Sequence, residues 1–409
     1  MVTGKSPSEH GIVGNGWYWR DLAEVKFWLQ PDRLVQAPKV WEQLQLAQPD
    51  FVCSRLFWWY NMYSDVAYSV TPRPHYHADG RKEVGLYSSP EDLHQQLEAA
   101  LGAFPFFNFW GPRADILSSQ WIADAAALEF EWHRPDLQFV YLPHLDYNLQ
   151  RLGPEHPDIW RDVAEIDAVT GKLVEKLQGM GAEVLIVSEY GISQVSHPVH
   201  INRMLREQGL LKVRKSATWE LLDCGASRAF AVADHQIAHV YIRDDSDIPV
   251  VRKLLENLQG IEQLMTASAQ QASAIHHPRS GELIAVAEPD AWFTYYYWLE
   301  DSKAPDFART VDIHRKPGYD PVELFIDPEI QFPQAKVAKR LAQKKLGMRM
   351  LMDVIPLDAS LVKGSHGRAV SSSEEGPLVI SSCAGKLEGI TALTDVATVI
   401  VEHFLAGSR

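Results

Sequence analysis

The chain has 409 residues, 46% of them hydrophobic and 22% charged, a balance that builds a folded core and excludes a disordered or fibrous protein. With 39 basic against 53 acidic side chains the net charge is −14, which repels a polyphosphate backbone and an anionic leaflet and so excludes a nucleic-acid polymer and a membrane surface as general partners. Cys53, Cys224 and Cys383 form no CxxC pair, and the chain shows neither a basic-then-apolar leader nor an apolar run of about 18 residues, so three buried thiols in a reducing, cytoplasmic setting are expected.

In chain order, Phe51–Leu56 reads as a strand, Pro90–Leu101 as an amphipathic helix and Leu137–Pro143 as a second strand. Ile159–Met180 reads as a long helix, with Asp158 and Asp162 near its start and Gly179 and Gly181 about its end, and Ala182–Ser188 as the strand that follows. This is the alternation of a layered α/β fold. Beyond Gly209 the runs shorten: LLKVR, AFAVA and HVYIRD are strand-like, Val250–Leu258 is helical and WFTYYYWL is rich in aromatic rings. The strand Pro377–Ser382 and the closing helix Thr394–Leu405 return to the first style. The expected architecture is a core made of residues 1–209 and 351–409, interrupted at 210–350 by an inserted α+β cap subdomain. Lys336–Arg349 is read as a basic amphipathic helix that covers the core with its lysine stems rather than contacting lipid, and SSSEEG near Ser371 as a flexible loop.

Ligands of open α/β sheets sit beyond the carboxyl ends of the strands, so polar residues just after an apolar run are the first candidates. Asp146 and Glu189 follow two such runs, and His366 lies on the glycine-flanked loop before the last strand. Two carboxylates and an imidazole make an oxygen/nitrogen set for a divalent metal, zinc or manganese. Taken singly, Asp146 reads equally as a helix cap, Glu189 as a salt-bridged rim carboxylate and His366 as a polar loop residue.

Asp234, His235 and His239 fall within six positions, and the two histidines share a face in a strand or a helix. They read either as a further metal or phosphate site or as a hydrogen-bonded turn entering HVYIRD. In the loop Thr310–Pro321, Asp312 and His314 alternate on one face and Arg315 with Lys316 offers cations to phosphate oxygens; a structural loop is the other reading. Of the aromatic runs, Phe57–Tyr63 suits a pocket rim, whereas Phe104–Trp110 and Trp292–Trp298 read mainly as core. Arg113 is an anion contact or an ordinary surface arginine.

The stretch Thr3-Gly4-Lys5-Ser6-Pro7-Ser8-Glu9-His10-Gly11-Ile12-Val13-Gly14-Asn15 resembles the TG…P…HGI…N segment of type I phosphodiesterases and nucleotide pyrophosphatases, a branch of the alkaline phosphatase superfamily. VLIVSEYGI is similar to that family's IIVSDHGM, VYLPHLDYNLQRLGPEHP to its Y…PD…GH…GP block and GSHG to its GxHG, all in the family's order. The resemblance implies an alkaline-phosphatase-like α/β core with a mostly parallel central sheet. It further implies two metal ions, usually zinc, on Asp and His ligands, and a Thr or Ser that attacks phosphorus to form a covalent intermediate. Carried over by position, Asp146 and His366 are metal ligands and Asn15 meets a phosphate oxygen. Two of the family's histidines are replaced, by Gln150 and by Tyr190, and Glu189 stands for an aspartate. By spacing the family's nucleophile falls roughly half a dozen residues before Met1, and Thr3 matches the later Thr of TG, so no nucleophile is assigned within the chain. The expected function is a metal-dependent hydrolase of a phosphodiester, pyrophosphate or related small phospho-compound; the alternative is a non-catalytic binding protein that keeps the fold with a degenerate metal site.

Overall fold

The computed structural model describes residues 1–77, 82–370, 372–385 and 387–406. Cys53–Leu56 (β1), Tyr68–Pro72 (β2), Leu86–Ser89 (β3) and Leu137–Val140 (β4) form a mixed sheet in the order β3-β2-β1-β4. β1 pairs in parallel with β2 and β4, and β3 closes one edge antiparallel. All four residues of β1 are buried, as befits a strand covered on both faces. Arg55 is accommodated there because its guanidinium pairs with Asp32 at 2.9 Å and donates to the Trp59 and Tyr60 carbonyls at 2.6 and 3.0 Å.

Leu93–Leu101 (α1) forms within the expected helical stretch, and Ile116–His133 (α2) is an additional helix that the amphipathic pattern does not announce. The reason is physical: Trp121, Ile122, Ala123, Ala125, Ala126 and Ala127 are all buried, so α2 is apolar on most sides and has no stripe to read. His144–Leu152 (α3) follows β4 directly, and Ile159–Gly179 (α4) matches its expected span to within one residue. The core between α2, α4 and the sheet joins Leu56, Val70, Leu97, Ile122, Leu173 and Leu177.

Leu185–Val187 (β5) is shorter than expected. Ala229–Asp234 (β6), Ile237–Ile242 (β7), Ile261–Met265 (β8) and Leu283–Ala287 (β9) then make a wholly antiparallel sheet in the order β6-β7-β9-β8, with the helix Ile248–Glu256 (α5) leaning on β8. Its core takes in Tyr295, Tyr296, Tyr297 and Trp298, and also Val195, Leu205 and Ile355 from outside residues 210–350.

Pro333–Lys345 (α6) is a helix, but none of its residues is buried. Lys336 and Arg340 turn to Asp353, at 3.2 and 2.8 Å, and Val337 packs at the edge of the core, so with none of its residues buried the helix borders the core rather than covering it. Val379–Ser381 (β10) pairs antiparallel with β5, and Asp395–Ala406 (α7) packs Ala397 with Val40, Trp41 and Cys53. Cys53 and Cys224 are buried as expected, while Cys383 is only half-buried. Ser371 lies outside the described residues, and Ser373–Glu375 beside it forms a single turn.

Candidate active site

Stretches of chain far apart in sequence deliver polar side chains to one cavity of about 150 Å3. Asp146 stands in the first turn of α3, just past β4, and Glu189 and Tyr190 follow β5. His235 comes from the turn between β6 and β7, His366 from the glycine-flanked loop, and Asn15 from the amino-terminal segment. Glycine makes two of these approaches possible. A Cβ on Gly364 would lie 2.0 Å from the Leu149 carbonyl oxygen on α3, and one on Gly14 would lie 2.8 Å from an oxygen of Asp234.

His235 and Gln236 form the two-residue connection of the β6–β7 hairpin, and His235 takes the left-handed conformation with φ +62° that such turns need. Asp234 fixes this histidine, with Oδ1 2.9 Å from His235 Nδ1. The same carboxylate accepts the Asn15 backbone N–H at 2.7 Å and its side-chain amide at 3.1 Å. The His235 ring is stacked between Tyr319, at 3.6 Å between centroids, and His366, at 3.8 Å. Tyr190 stacks on the other side of His366 at 3.6 Å and donates its hydroxyl to Asp146 at 3.2 Å. Tyr319 in turn donates to Gln150 Oε1 at 2.8 Å.

Burial dominates the electrostatics. The Asp146 carboxyl is held above its usual range by burial, with His235, Gln150 and Tyr190 opposing. Glu189 is pushed up to about 7 by burial and by Asp146, against the pull of the Met1 amino group. His366 is held well below the ordinary imidazole range by burial and by His235, so its ring is neutral and keeps a lone pair. Two carboxyl groups beside an imidazole with a lone pair form an oxygen/nitrogen donor set that suits a divalent cation. Gln150 and Tyr190, weak donors for a metal ion, both spend polar atoms within the site. The ligand atoms of Asp146, Glu189 and His366 line the cavity without all coming within 4.8 Å of one another.

His239 does not share a face with His235, because His235 belongs to the turn and His239 to β7. Both nitrogens of His239 are engaged by backbone, Nε2 donating to Val13 O at 3.0 Å and Nδ1 accepting from Gly281 N–H at 3.1 Å, and the residue lies outside the cavity lining. His314 lines the cavity, with its pKa lowered to about 4 chiefly by burial, whereas Asp312 is outside the lining, 3.5 Å from Arg315. Lys316 is not available to phosphate: it is buried between Asp320 and Glu323, each at 2.7 Å. Among the described residues the cations that line the cavity are Arg73 and Lys82, which sequence reasoning missed although Pro72-Arg73-Pro74 is a polar exit from a strand. Phe57, Trp59, Phe109 and Trp110 supply apolar wall, while Trp292–Trp298 is core. Arg113 is exposed, and Thr3 is buried away from the lining, its hydroxyl accepting the Lys5 N–H at 3.2 Å.

The parallel-containing sheet, its helical layers and a polar cluster beyond the strand ends define an α/β protein with an alkaline-phosphatase-like fold. More narrowly, the chain belongs to the type I phosphodiesterase / nucleotide pyrophosphatase family, whose model matches residues 1–320. It is similar to ectonucleotide pyrophosphatase/phosphodiesterase 2 of Saccharomyces cerevisiae, 28% identical over 211 residues, a match covering 48% of this chain and 36% of that protein. Its fold overlaps that of phosphonoacetate hydrolase from Sinorhizobium meliloti 1021 in complex with phosphonoformate, with a TM-score of 0.51 at 15% identity over 75% of this chain and 72% of that one. The alkaline phosphatase PafA gives a TM-score of 0.49 at 14% identity over 72% of this chain and 76% of that one.

Proposed function

We propose that this protein hydrolyses a phosphodiester, pyrophosphate or related small phospho-compound, using a divalent metal ion, zinc or manganese, held by Asp146, Glu189 and His366. The observation that carries the reading is the meeting of these three residues with Arg73 and Lys82 in one aromatic-walled cavity of a chain that is otherwise strongly acidic. Arg73 and Lys82 attract and orient the phosphate oxygens. Asn15, steadied by Asp234, presents its amide at the same anion, and Trp59 and Trp110 pack against the ring or apolar portion of the substrate. Asp234 fixes the His235 tautomer, leaving Nε2 as the nitrogen without a hydrogen bond among the described residues. The bound cation would neutralise charge on the phosphoryl group as the attacked bond breaks. The unpaired thiols of Cys53, Cys224 and Cys383 support a reducing, cytoplasmic setting. Among the described residues no helix is long and apolar enough to cross a membrane.

Gln150 and Tyr190 favour a second reading, a binding protein without catalysis, because both spend their polar atoms inside the site. The two readings part on one experiment: metal content by elemental mass spectrometry together with hydrolysis of a chromogenic phosphodiester. An ion that Asp146→Asn and His366→Ala each remove, with activity lost by several orders of magnitude, supports the hydrolase. Unchanged activity in both variants removes this site assignment, whereas no bound ion and no turnover in the parent protein supports the binder.

A further inference from the structure

His144, the first residue of α3, is 2% exposed, yet neither of its ring nitrogens has a hydrogen-bond partner among the described residues. An unpartnered imidazole is rare in a native interior and calls for a ligand. Its Nε2 faces α4, 3.4 Å from Glu165 Oε2 but out of line for a hydrogen bond. Arg161 holds the other Glu165 oxygen at 2.9 Å. Asp162 lies three residues before Glu165 and therefore on the same helix face; it is buried, and no hydrogen bond or ion pair reaches its carboxylate among the described residues. One ligand atom from each of His144, Asp162 and Glu165 falls within 4.8 Å of the other two. None of the three lines the active cavity.

We propose that His144, Asp162 and Glu165 form a second divalent-cation site, structural in role, which pins α3 to α4. An imidazole with two carboxylates suits a borderline ion such as zinc(II) or manganese(II) better than magnesium or calcium, which prefer oxygen alone. Ligands about 2.1 Å from a tetrahedral zinc ion stand about 3.4 Å apart, the separation seen between His144 and Glu165. α3 also carries Asp146 and Gln150, so an ion at its first residue holds the helix that furnishes the active cavity. The proposal does not depend on the hydrolase reading.

The test is titration of the metal-stripped full chain with zinc chloride alone by calorimetry, and with manganese chloride alone by electron paramagnetic resonance. His144→Ala is expected to remove one bound equivalent per chain. Glu165→Gln, a half-exposed change on the surface of α4, preserves the fold and is expected to weaken the same equivalent at least about tenfold. The difference between parent and variant reads the site, so a failure of the active-cavity assignment changes the total and leaves that difference intact. Equal stoichiometry and affinity in the parent and both variants, or no bound ion in the parent, overturns the proposal.

Discussion

The rings of His235 and His366 face each other with centroids 3.8 Å apart, between Tyr319 on one side and Tyr190 on the other. This four-ring column joins the antiparallel sheet to the loop before β10 and explains why a non-glycine residue is held at φ +62°. Its cost of about 1–3 kcal/mol is outweighed by the stacking, the bond to Asp234 and the Phe293 N–H donated to the His235 carbonyl at 2.8 Å.

His235→Asn separates the turn from the chemistry. Asparagine tolerates the left-handed conformation, so the turn should persist while the lost stacking and the lost bond to Asp234 lower stability by about 1–3 kcal/mol. Phosphodiester hydrolysis should fall at least about 100-fold because the ring and its free Nε2 are gone. A thermal melt beside a rate assay checks both; retained activity would reduce His235 to a packing role.

Gly364→Ala places a Cβ 2.0 Å from the Leu149 carbonyl oxygen, a backbone atom that cannot swing aside. The expected loss is about 3 kcal/mol or more, with His366 displaced and activity lost together. Chemical denaturation of the variant measures the first and turnover the second.

Lys316→Met keeps the stem but leaves Asp320 and Glu323 buried without their cation. Removing one partner of such a group costs about 3–5 kcal/mol. Adding Asp320→Asn and Glu323→Gln should recover part of that loss, and denaturation of the single and triple variants decides it.

His200 predicts the acid limb of stability. Its pKa is lowered from 6.5 to about 4, first by burial and then by Arg203, while Thr294 lies 2.7 Å from Nδ1. A depressed histidine contributes its full stability above pH 6.5 and loses it as pH falls toward 4. His200→Gln, which does not titrate, should flatten that window by up to about 3 kcal/mol, less the solvent screening of a half-buried ring. Melts at pH 7 and pH 4.5 supply the comparison.

Arg73→Ala and Lys82→Ala should each raise KM for an anionic substrate about tenfold with little change in kcat, and should weaken its salt dependence. Steady-state kinetics at two ionic strengths is the measurement. An unchanged KM in both variants removes the anion-binding role from this end of the cavity.

Local pattern carried much of the fold. The long amphipathic α4 and the short apolar runs of β1 and β4 were legible because a 3.6-residue period and a short apolar run each have one favoured conformation. Asp146, Glu189, His366 and Asn15 were marked by their place after strands or by family resemblance, and all four line one cavity. The all-buried α2 was hidden, since burial on most sides erases periodicity. The assignments of His239 and Lys316 turned on contacts made by residues remote in the chain or on another element: Val13 lies 226 positions from His239, and Glu323 seals Lys316 inside a buried group. Short-range backbone preference and hydrophobic spacing therefore determined which segments form and where strands end. Which polar groups are left free for chemistry was decided only by tertiary packing, because burial and long-range hydrogen bonding determine whether a side chain's donors and acceptors are already taken.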